Sequence, residues 1–232
     1  MVLIYIGIDD TDNKESRGTG HLARTIAQAL AQVGEVKGIT RHQLFFDPRV
    51  PYTSHNSSAA IHLFAADSSL ISDIFSITEK IMLDDFQPGS DPGLCVAAAS
   101  AIPDQVVAFG NKAKVDLVRQ AEARQIAAEH HILLRGLGGT EDGVIGALSA
   151  VGLAFSGNDG RYIQVGSIRS LEGKLPIEVI LTAGIDSVRT QDGTIIQEGM
   201  VLADKIRPAL RNHQSILYVQ PESDYWLPIK LD

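Results

Sequence analysis

The chain opens with a run of apolar residues, 2–8, that ends directly at a group of aspartates. Short continuous apolar runs are typical of strands that are buried on both faces of a sheet. Asp9, Asp10 and Asp12 follow within four residues, so the sequence places three carboxylates at the end of a buried strand. Apolar residues then recur at helical spacing from Leu22 onward. The opening unit is therefore predicted as strand, acidic loop and helix.

The remaining apolar pattern predicts a mixed α and β architecture. Strands are predicted over residues 38–46, 59–65 and 132–134, and helices over 22–33, 70–82, 111–129 and 144–151, with Gly34 as a helix stop and Ser68 or Ser69 as a helix cap. Residues 94–102 fit either a strand or a buried helix. Beyond residue 160 the pattern favours strands, over 161–169, 177–181, 187–190, 194–196 and 216–219, with Gln191-Asp192-Gly193 as a hairpin turn. We predict an α+β fold divided into residues 1–66, 67–130 and 131–232, with one compact unit as the alternative.

The charge is distributed unevenly along the chain. Asp and Glu outnumber Lys and Arg by 28 to 20, a net charge of −8, which argues against binding nucleic acid by general electrostatics. Most of the excess lies in residues 67–110, which hold seven acidic residues and one basic residue. This stretch is either a solvated helix face with acidic loops or a surface for a basic partner chain.

Few features indicate a compartment. Cys95 is the single cysteine, which excludes a disulfide within the chain and a Cys-x-x-Cys metal site. The first residues lack the basic segment of a signal peptide, and no apolar run approaches the roughly 20 residues that span a bilayer. We therefore expect a cytoplasmic protein without a membrane span.

The acidic loop after the first strand points to metal chemistry. Asp9, Asp10 and Asp12 repel one another, and burial would raise the pKa of some of them. Mg²⁺ resolves this conflict, because it binds carboxylate oxygens while keeping waters and phosphate oxygens as further ligands. Such an ion serves phosphoryl transfer, where it neutralises charge on the transferring group. The alternative is that these residues cap a turn and the next helix.

Two glycine-containing loops are candidates for phosphate contact. Gly18 and Gly20 flank Thr19 at a predicted helix start, where backbone N–H groups suit a phosphate. The second loop runs into an apolar helix and fits neither the P-loop nor the Rossmann spacing; its candidate phosphate-binding residues are Gly136, Gly138, Gly139, Gly143 and Gly146. The alternative is a plain turn with close helix packing.

Arg41 is a further candidate for phosphate contact, because its guanidinium could bind a phosphate in bidentate fashion.

Taken together and in this order, these segments resemble the kinase and ferredoxin-like regions of the archaeal tRNA agmatinylcytidine synthetase family. The matching pieces are residues 7–12, 19–23, 47–52 and 143–152. Enzymes of that family use ATP and Mg²⁺ to activate a cytidine of an isoleucine tRNA, and agmatine then displaces the phosphate. The resemblance implies that Asp9, Asp10 and Asp12 hold Mg²⁺. It also implies that Thr19 occupies the position of a phosphorylated threonine and that residues 136–146 contact ATP.

The chain also departs from the family pattern. The family's Lys-Thr-Arg-Gly-Asn reads Thr53-Ser54-His55-Asn56-Ser57 here, so two cations are missing, and its Cys-Thr-Thr reads Gly18-Thr19-Gly20. No segment corresponds to the family's OB-fold or zinc ribbon. We therefore expect no direct tRNA binding by this chain alone.

Three functions remain open on the sequence. The first is a Mg²⁺-dependent, ATP-binding enzyme of phosphoryl transfer, with Asp9, Thr19 and Arg41 as its catalytic residues and an unknown acceptor. The second is a module that binds a nucleotide or small ligand without catalysis. The third is a subunit of a tRNA-modifying assembly that works with a separate partner chain.

Overall fold

The computed structural model describes residues 1–50 and 56–231, and it divides the chain into two compact units. The first unit is Met1–Ser156 and the second is Gly157–Asp232. This differs from the predicted boundaries after residues 66 and 130. The reason is that the middle stretch and the second glycine loop supply strands and helices to the sheet that the first residues begin. Thr53 and His55, where the family cations are replaced, lie outside the described residues.

The first unit is an antiparallel sheet with helices on both faces. Its strands are ordered β5-β4-β1-β3-β2. Its elements are β1 (Val2–Asp9), α1 (Thr19–Leu30), β2 (Gly34–Gln43), β3 (Ser57–Ala65), α2 (Ile71–Asp84), β4 (Gly93–Ala98), α3 (Asp104–Ala113), α4 (Gln120–Glu129), β5 (Leu133–Gly136) and α5 (Gly143–Ser156). The predicted central strand is confirmed, because β1 pairs with β3 on one side and with β4 on the other.

The first four strands and two helices of this unit form a ferredoxin-like motif, strand–helix–strand twice over with the strand order 4-1-3-2. Right-handed crossovers place α1 and α2 on one face of such a sheet. Ile4, Ile6 and Ile8 alternate with residues of the other face and are fully buried. The helices α1 and α2 cover this face. The predicted α+β fold class is confirmed.

The other face of the sheet is covered by α5, which packs unusually close to the strands. A Cβ atom on Gly7 of β1 would lie 2.1 Å from the Ala147 carbonyl oxygen of α5, and one on Gly93 of β4 would lie 2.1 Å from the carbonyl carbon of Gly143. Glycine is needed at both strand positions because a side chain would displace the helix. The helix α5 has 14 residues, and no helix in the described part of the chain is long and apolar enough to cross a bilayer.

The sequence prediction of a single helix over residues 111–129 is wrong. The helix α3 ends at Ala113, whose carbonyl oxygen accepts the Phe45 backbone N–H at 2.9 Å, and α4 begins only at Gln120. Between them the Asp116 carboxylate accepts the Leu117 backbone N–H at 2.7 Å, a local bond that competes with helix.

Helix ends differ from the prediction in two further places. The Asp67 side chain, rather than Ser68 or Ser69, provides the cap before α2 by accepting the Ser69 backbone N–H at 2.8 Å. Gly34 is the first residue of β2, and α1 ends three residues before the predicted stop at Val33. Aspartate and serine are both good caps, so the sequence alone did not choose between them.

The second unit is rich in short strands, as the sequence predicted. Its strands run in the order β6-β10-β11-β12-β9-β7, with β8 parallel to β11. Its elements are β6 (Arg161–Val165), β7 (Lys174–Pro176), α6 (Ile177–Thr182), β8 (Ser187–Arg189), β9 (Met200–Leu202), β10 (Ala209–Arg211), β11 (Gln214–Glu222) and β12 (Tyr225–Pro228). The prediction of a strand over residues 177–181 is wrong, because these residues form α6. The predicted turn at Gln191–Gly193 is confirmed by the Gly193 N–H to Thr190 carbonyl bond and the Arg189–Ile195 bridge.

Candidate functional site

Asp9 and Asp10 lie where β1 ends beneath the first turn of α5. The Asp9 carboxylate packs against Gly146, since a Cβ at that glycine would lie 1.7 Å from Asp9 Oδ2. Asp10 adopts a left-handed backbone with φ of 49°, which turns the chain out of the strand. Aspartate tolerates this conformation better than most residues with a side chain. The strand, its sharp turn and the absent Gly146 side chain together fix the position of the two carboxylates.

Both carboxyl groups have raised pKa values. Burial is the largest cause for Asp9, whose pKa rises to about 8, followed by the negative charge of Asp10. For Asp10 the pKa rises to about 6, because of burial and then the nearby charges of Asp91 and Asp12. Burial without a counter-charge disfavours the ionised form. A bound cation would therefore stabilise the ionised forms of both carboxyl groups.

The two aspartates line one end of a cavity of about 220 Å³. The acidic end also contains Asp142 and the helix residues Gly143 and Gly146. The rest of the lining is mostly apolar and also includes Asn56 and Asp116; its apolar residues are Leu44, Phe45, Val50, Ala113, Leu117, Val118 and Ile145. Among the described residues that line this cavity, Arg49 is the single cation, and it forms two bonds to Asp47, at 2.7 and 2.9 Å. The cavity therefore combines several carboxylates with a mostly apolar lining.

Backbone N–H groups of the second glycine loop form hydrogen bonds to other residues of the first unit. The N–H groups of Leu137, Thr140 and Gly143 donate to Pro92, Asp91 and Asp91, at 2.8, 2.5 and 2.9 Å. These amides are therefore occupied rather than free to bind an anion. Of the predicted glycines, Gly143 and Gly146 line the cavity.

The other glycines of that loop have structural explanations. A Cβ at Gly136 would meet the Glu141 side chain at 2.2 Å, and one at Gly138 would meet the Phe86 ring at 2.6 Å. Gly139 has a positive φ of 60° and faces the Asp91 carboxylate. These contacts support the alternative that this part of the loop is a tightly packed turn.

Asp12, Thr19 and Arg41 form a second group, on the other face of the sheet. Thr19 Oγ1 donates to the Asp12 carboxylate at 3.4 Å and accepts a bond from the Thr11 hydroxyl at 3.1 Å. Arg41 donates to Ser57 Oγ at 2.8 Å; burial lowers its pKa, and the opposing influence is the negative charge of Asp12. Gly7 and Thr40 both pair with Ala60, so the two residues lie on the same face of the sheet. Successive residues of a strand alternate between the faces, so Asp9 shares the face of Gly7 and Arg41 lies on the opposite face.

Asp12, but neither Thr19 nor Arg41, lines a second cavity of about 270 Å³. Its lining includes Asp12, Gly18, Glu15, Arg17 and Asp85. Gly18 precedes α1 with a φ of 82°, and no side chain caps the helix there. Gly20 lies in the first turn of α1. The sequence-predicted site residues are thus brought together as two groups rather than one.

Of the three aspartates that the sequence proposes as metal ligands, Asp9 and Asp10 line the first cavity and Asp12 does not. Over residues 1–50 and 56–231, no group of three or more His, Cys, Asp or Glu side chains has the arrangement of a metal site. Asp9 and Asp10 alone suit Mg²⁺, which commonly takes one or two carboxylates and completes its shell with water and phosphate oxygens. Asp12 contributes negative charge, since it raises the pKa of both.

Sequence reasoning missed two residues that line this cavity, Asp142 and Arg49, and a third, Asp91, that lies beside Asp10. Asp142 precedes α5, and Gln120 donates to its carboxylate at 2.6 Å. Asp91 follows the loop after α2 and lies beside Asp10. Arg49 belongs to a segment that carried the family resemblance, but it was not selected as a site residue. An aspartate directly before an apolar helix was the available signal for Asp142; no local signal marks Asp91.

Curated sequences similar to this chain include several tRNA 2-agmatinylcytidine synthetases, named TiaS. The chain is 28% identical over 159 residues to TiaS of Thermococcus sibiricus, covering 66% of this chain and 35% of that protein. It is 30% identical over 156 residues to TiaS of Archaeoglobus fulgidus, covering 64% and 35%. An uncharacterised protein of Methanocaldococcus jannaschii is 28% identical over 155 residues, covering 66% and 51%. No family model matches the chain.

Solved structures show the same relationship at the level of the fold. The TiaS complex with tRNA and ATP superposes with a TM-score of 0.58 at 23% identity, over 66% of this chain and 36% of that one. The TiaS complex with tRNA, AMPCPP and agmatine gives 0.57 at 22%, over 66% and 36%. The predicted resemblance is confirmed. The chain spans about a third of the length of these TiaS proteins, and the aligned length is close to that of the first unit, Met1–Ser156.

Proposed function

We propose that the first unit, which is similar to the TiaS synthetases, binds ATP with Mg²⁺ in the cavity beneath α5 and that the chain is an enzyme of phosphoryl transfer. The observation that carries this proposal is the pair of crowded, partly buried carboxylates, Asp9 and Asp10, at the acidic end of a cavity with an apolar wall. A nucleotide fits such a cavity, because its metal-bound phosphates require charged surroundings and its base requires apolar ones. TiaS itself has been solved with ATP.

The metal proposal rests on the electrostatics of Asp9 and Asp10. Their pKa values are raised by burial and by neighbouring carboxylates, Asp10 for Asp9 and Asp91 for Asp10, so a divalent cation would stabilise both ionised forms. The ion, when bound, would neutralise charge on the transferring phosphoryl group. Asp9 is held by the Gly146 contact, and the Asp10 carboxyl group interacts with the backbone of Asp91. These two residues would orient the ion, with Asp12 adding negative charge nearby.

The cavity walls would position the nucleotide. Leu44, Phe45 and Leu117 would exclude water from the base. Gly143 and Gly146 line the cavity without side chains, so they leave space beside Asp9 and Asp10 in which metal-bound phosphates could lie. Arg49 would approach the phosphates only by leaving its two bonds to Asp47.

Thr19 is proposed as a phosphoacceptor. Its hydroxyl donates to Asp12 at 3.4 Å, so Asp12 would take the proton as the oxygen bonds to the γ-phosphorus of ATP and the bond to the bridging oxygen breaks, releasing ADP. Arg41 faces Asp12 on the same side of the sheet and would balance the added charge. Intact-mass spectrometry after incubation with ATP and Mg²⁺ should show one added phosphate in the wild type and in Thr25→Ala, and none in Thr19→Ala. No addition in the wild type would remove Thr19 from this role.

Isothermal titration calorimetry tests the binding proposal. We expect ATP to bind in the presence of Mg²⁺ and to bind at least about tenfold more weakly to Asp10→Asn, because a ligand of the metal is lost. Asp84→Asn is the matched control, since Asp84 is an exposed carboxylate at the end of α2 and pairs with Lys80 in the same helix. Absence of ATP binding to the wild type would refute the proposal.

A non-catalytic nucleotide-binding module is the second candidate. It is favoured by the scarcity of cations: within the described lining of the cavity, Arg49 is the single basic residue and is bonded to Asp47. Phosphoryl-transfer sites usually supply cations to the transition state. Phosphate release from ATP that is lost in Asp10→Asn would exclude this candidate. Binding without turnover, alone and with candidate acceptors, would support it.

An assembly role would require a separate partner chain. Residues 67–110 carry a net negative charge, with Asp67, Asp73, Asp84 and Asp85 exposed. We propose that any tRNA would be bound mainly by a basic partner, because this surface repels phosphates. Gel-shift titration of the chain alone with tRNA should show no specific complex at physiological salt.

A further inference from the structure

We propose that Asp91 is a positioning residue that holds the first turn of α5 and the Asp10 carboxylate in one fixed arrangement. This inference rests on the proposed ATP–Mg²⁺ site, because it assigns a role in building that site. Asp91 lies 81 residues from Asp10 and about 50 residues from α5 in sequence. It is not a proposed ligand of the metal or the nucleotide.

Asp91 contacts three separate parts of the site through three different groups. Its carboxylate Oδ1 accepts the Thr140 backbone N–H at 2.5 Å. Its carbonyl oxygen accepts the Gly143 backbone N–H at 2.9 Å, at the first residue of α5. Its backbone also interacts with the Asp10 carboxyl group, and this interaction lowers the pKa of Asp10 against the opposing effects of burial and charge. One residue thus joins the end of β1 to the turn before α5 and to the start of that helix.

The surrounding packing makes this arrangement specific. Gly139 faces the Asp91 carboxylate so closely that a Cβ there would overlap Asp91 Oδ1 at 1.9 Å. The following residue, Pro92, accepts the Leu137 N–H at 2.8 Å, and Gly93 packs on Gly143. The backbone contacts of Asp91 are retained in any substitution, so its carboxylate is the part that a variant can test. Among the groups of Asp91, the carboxylate is the one that bonds Thr140, whose carbonyl oxygen accepts the Gln120 side-chain amide at 2.7 Å.

A hydrogen-bond role differs from a charge role in a measurable way. Asparagine keeps an oxygen that can accept the Thr140 N–H but removes the negative charge beside Asp10, whereas alanine removes both. If Asp91 positions the turn, Asp91→Asn should behave nearly as the wild type and Asp91→Ala should not. If its charge is what matters, the two variants should be equally impaired.

The experiment measures ATP binding with Mg²⁺ by calorimetry, together with amide hydrogen exchange at residues 140 and 143, well below each variant's unfolding temperature. We expect Asp91→Ala to bind about tenfold more weakly, as substitutions behind a metal ligand commonly do, and Asp91→Asn to remain within about threefold of the wild type. Exchange at these two amides should be faster in Asp91→Ala and unchanged in Asp91→Asn. Asp84→Asn should match the wild type in both measurements.

Each outcome decides the inference. Equal impairment of Asp91→Asn and Asp91→Ala overturns it in favour of a charge role. Normal binding by Asp91→Ala with a lowered unfolding temperature overturns it in favour of a purely structural role. If the wild type itself does not bind ATP, the proposed function fails, and hydrogen exchange alone then decides: unchanged exchange in Asp91→Ala overturns the inference, and faster exchange confirms that Asp91 holds the turn.

Discussion

At the scale of single residues, Asp9 shows how burial at the end of a strand makes the ionised form of a carboxyl group unfavourable. Its pKa is raised from an ordinary value of 3.8 to about 8, mainly because burial disfavours the carboxylate and then because Asp10 is negative. Between these two pH values the folded protein keeps a proton that the unfolded chain releases. The folded state is therefore destabilised as pH rises from about 4 to about 8, and this contribution is constant above that range.

The substitution Asp9→Asn should remove this pH dependence. Asparagine has nearly the same shape and cannot ionise, so the variant should gain stability over the wild type as pH rises. We expect a gain on the order of 2 kcal/mol in the free energy of unfolding at pH 8, since one pKa unit corresponds to about 1.4 kcal/mol and solvent screens part of the effect.

Urea unfolding of both proteins at pH 5, 7 and 8.5 without divalent ions measures this difference. The control is Asp84→Asn, an exposed carboxylate that should follow the wild-type curve. A constant difference between Asp9→Asn and the wild type across this range would contradict the assignment of a buried, proton-holding Asp9. The same substitution should weaken ATP binding in the presence of Mg²⁺, so greater stability and lost binding are expected together.

At the scale of elements, the contact of α5 with β1 depends on glycines on both sides. Gly7 allows the helix backbone to approach β1, and Gly146 leaves room for the Asp9 carboxylate. The two positions differ in what a methyl group would meet. At Gly7 it meets a backbone carbonyl oxygen at 2.1 Å, whereas at Gly146 it meets the Asp9 side chain. Gly7 therefore allows α5 to pack closely on β1, and Gly146 also leaves space for Asp9 in the proposed site.

Alanine at each position should separate these two roles. Gly7→Ala forces α5 away from the sheet, and we expect a loss of about 3 kcal/mol in the free energy of unfolding. Gly146→Ala should cost less, because alanine favours helix by about 1 kcal/mol and the clash falls on a side chain. The displaced Asp9 should nevertheless weaken ATP–Mg²⁺ binding strongly. Thermal unfolding and calorimetry check both, and wild-type affinity in Gly146→Ala would exclude Gly146 from the site.

The elements themselves were predicted from sequence with uneven success. The apolar run over residues 2–8 was sufficient to predict β1, and the helical spacing of apolar residues was sufficient to predict α1, α2 and α5. Each pattern reflects which side chains of the element are buried. Residues 177–181 were misassigned because β-branched residues are also accepted in a helix that buries Ile177 and Ile180. The break between α3 and α4 was missed because it depends on Asp116 and on the distant Phe45 N–H.

At the scale of the whole molecule, each unit has a hydrophobic core of its own. One cluster of buried residues runs from Tyr5 to Ala154, and another from Tyr162 to Val219. All residues of the proposed ATP site belong to the first unit, Met1–Ser156. A unit with its own core and complete secondary structure can fold alone.

We therefore expect residues 1–156 to fold and bind ATP without the second unit. Circular dichroism should show cooperative thermal unfolding, and calorimetry with Mg²⁺ should give an affinity within about twofold of the full chain, a difference of roughly 0.4 kcal/mol. The same fragment with Asp10→Asn is the control for specific binding. A folded fragment that has lost ATP binding would show that the second unit contributes to the site.

The sequence by itself determined the local features: a buried strand ending in aspartates, a glycine-rich turn before an apolar helix, and the resemblance to the TiaS family. These follow from short-range patterns, because periodicity and turn chemistry are properties of neighbouring residues. The tertiary structure alone decided which of these residues meet. Strand alternation sends Asp9 and Arg41 to opposite faces, and the loop before β4 brings Asp91 to Asp10. The physical reason is that a site is assembled from contacts between segments distant in sequence, and only the packing of the sheet with its helices specifies those contacts.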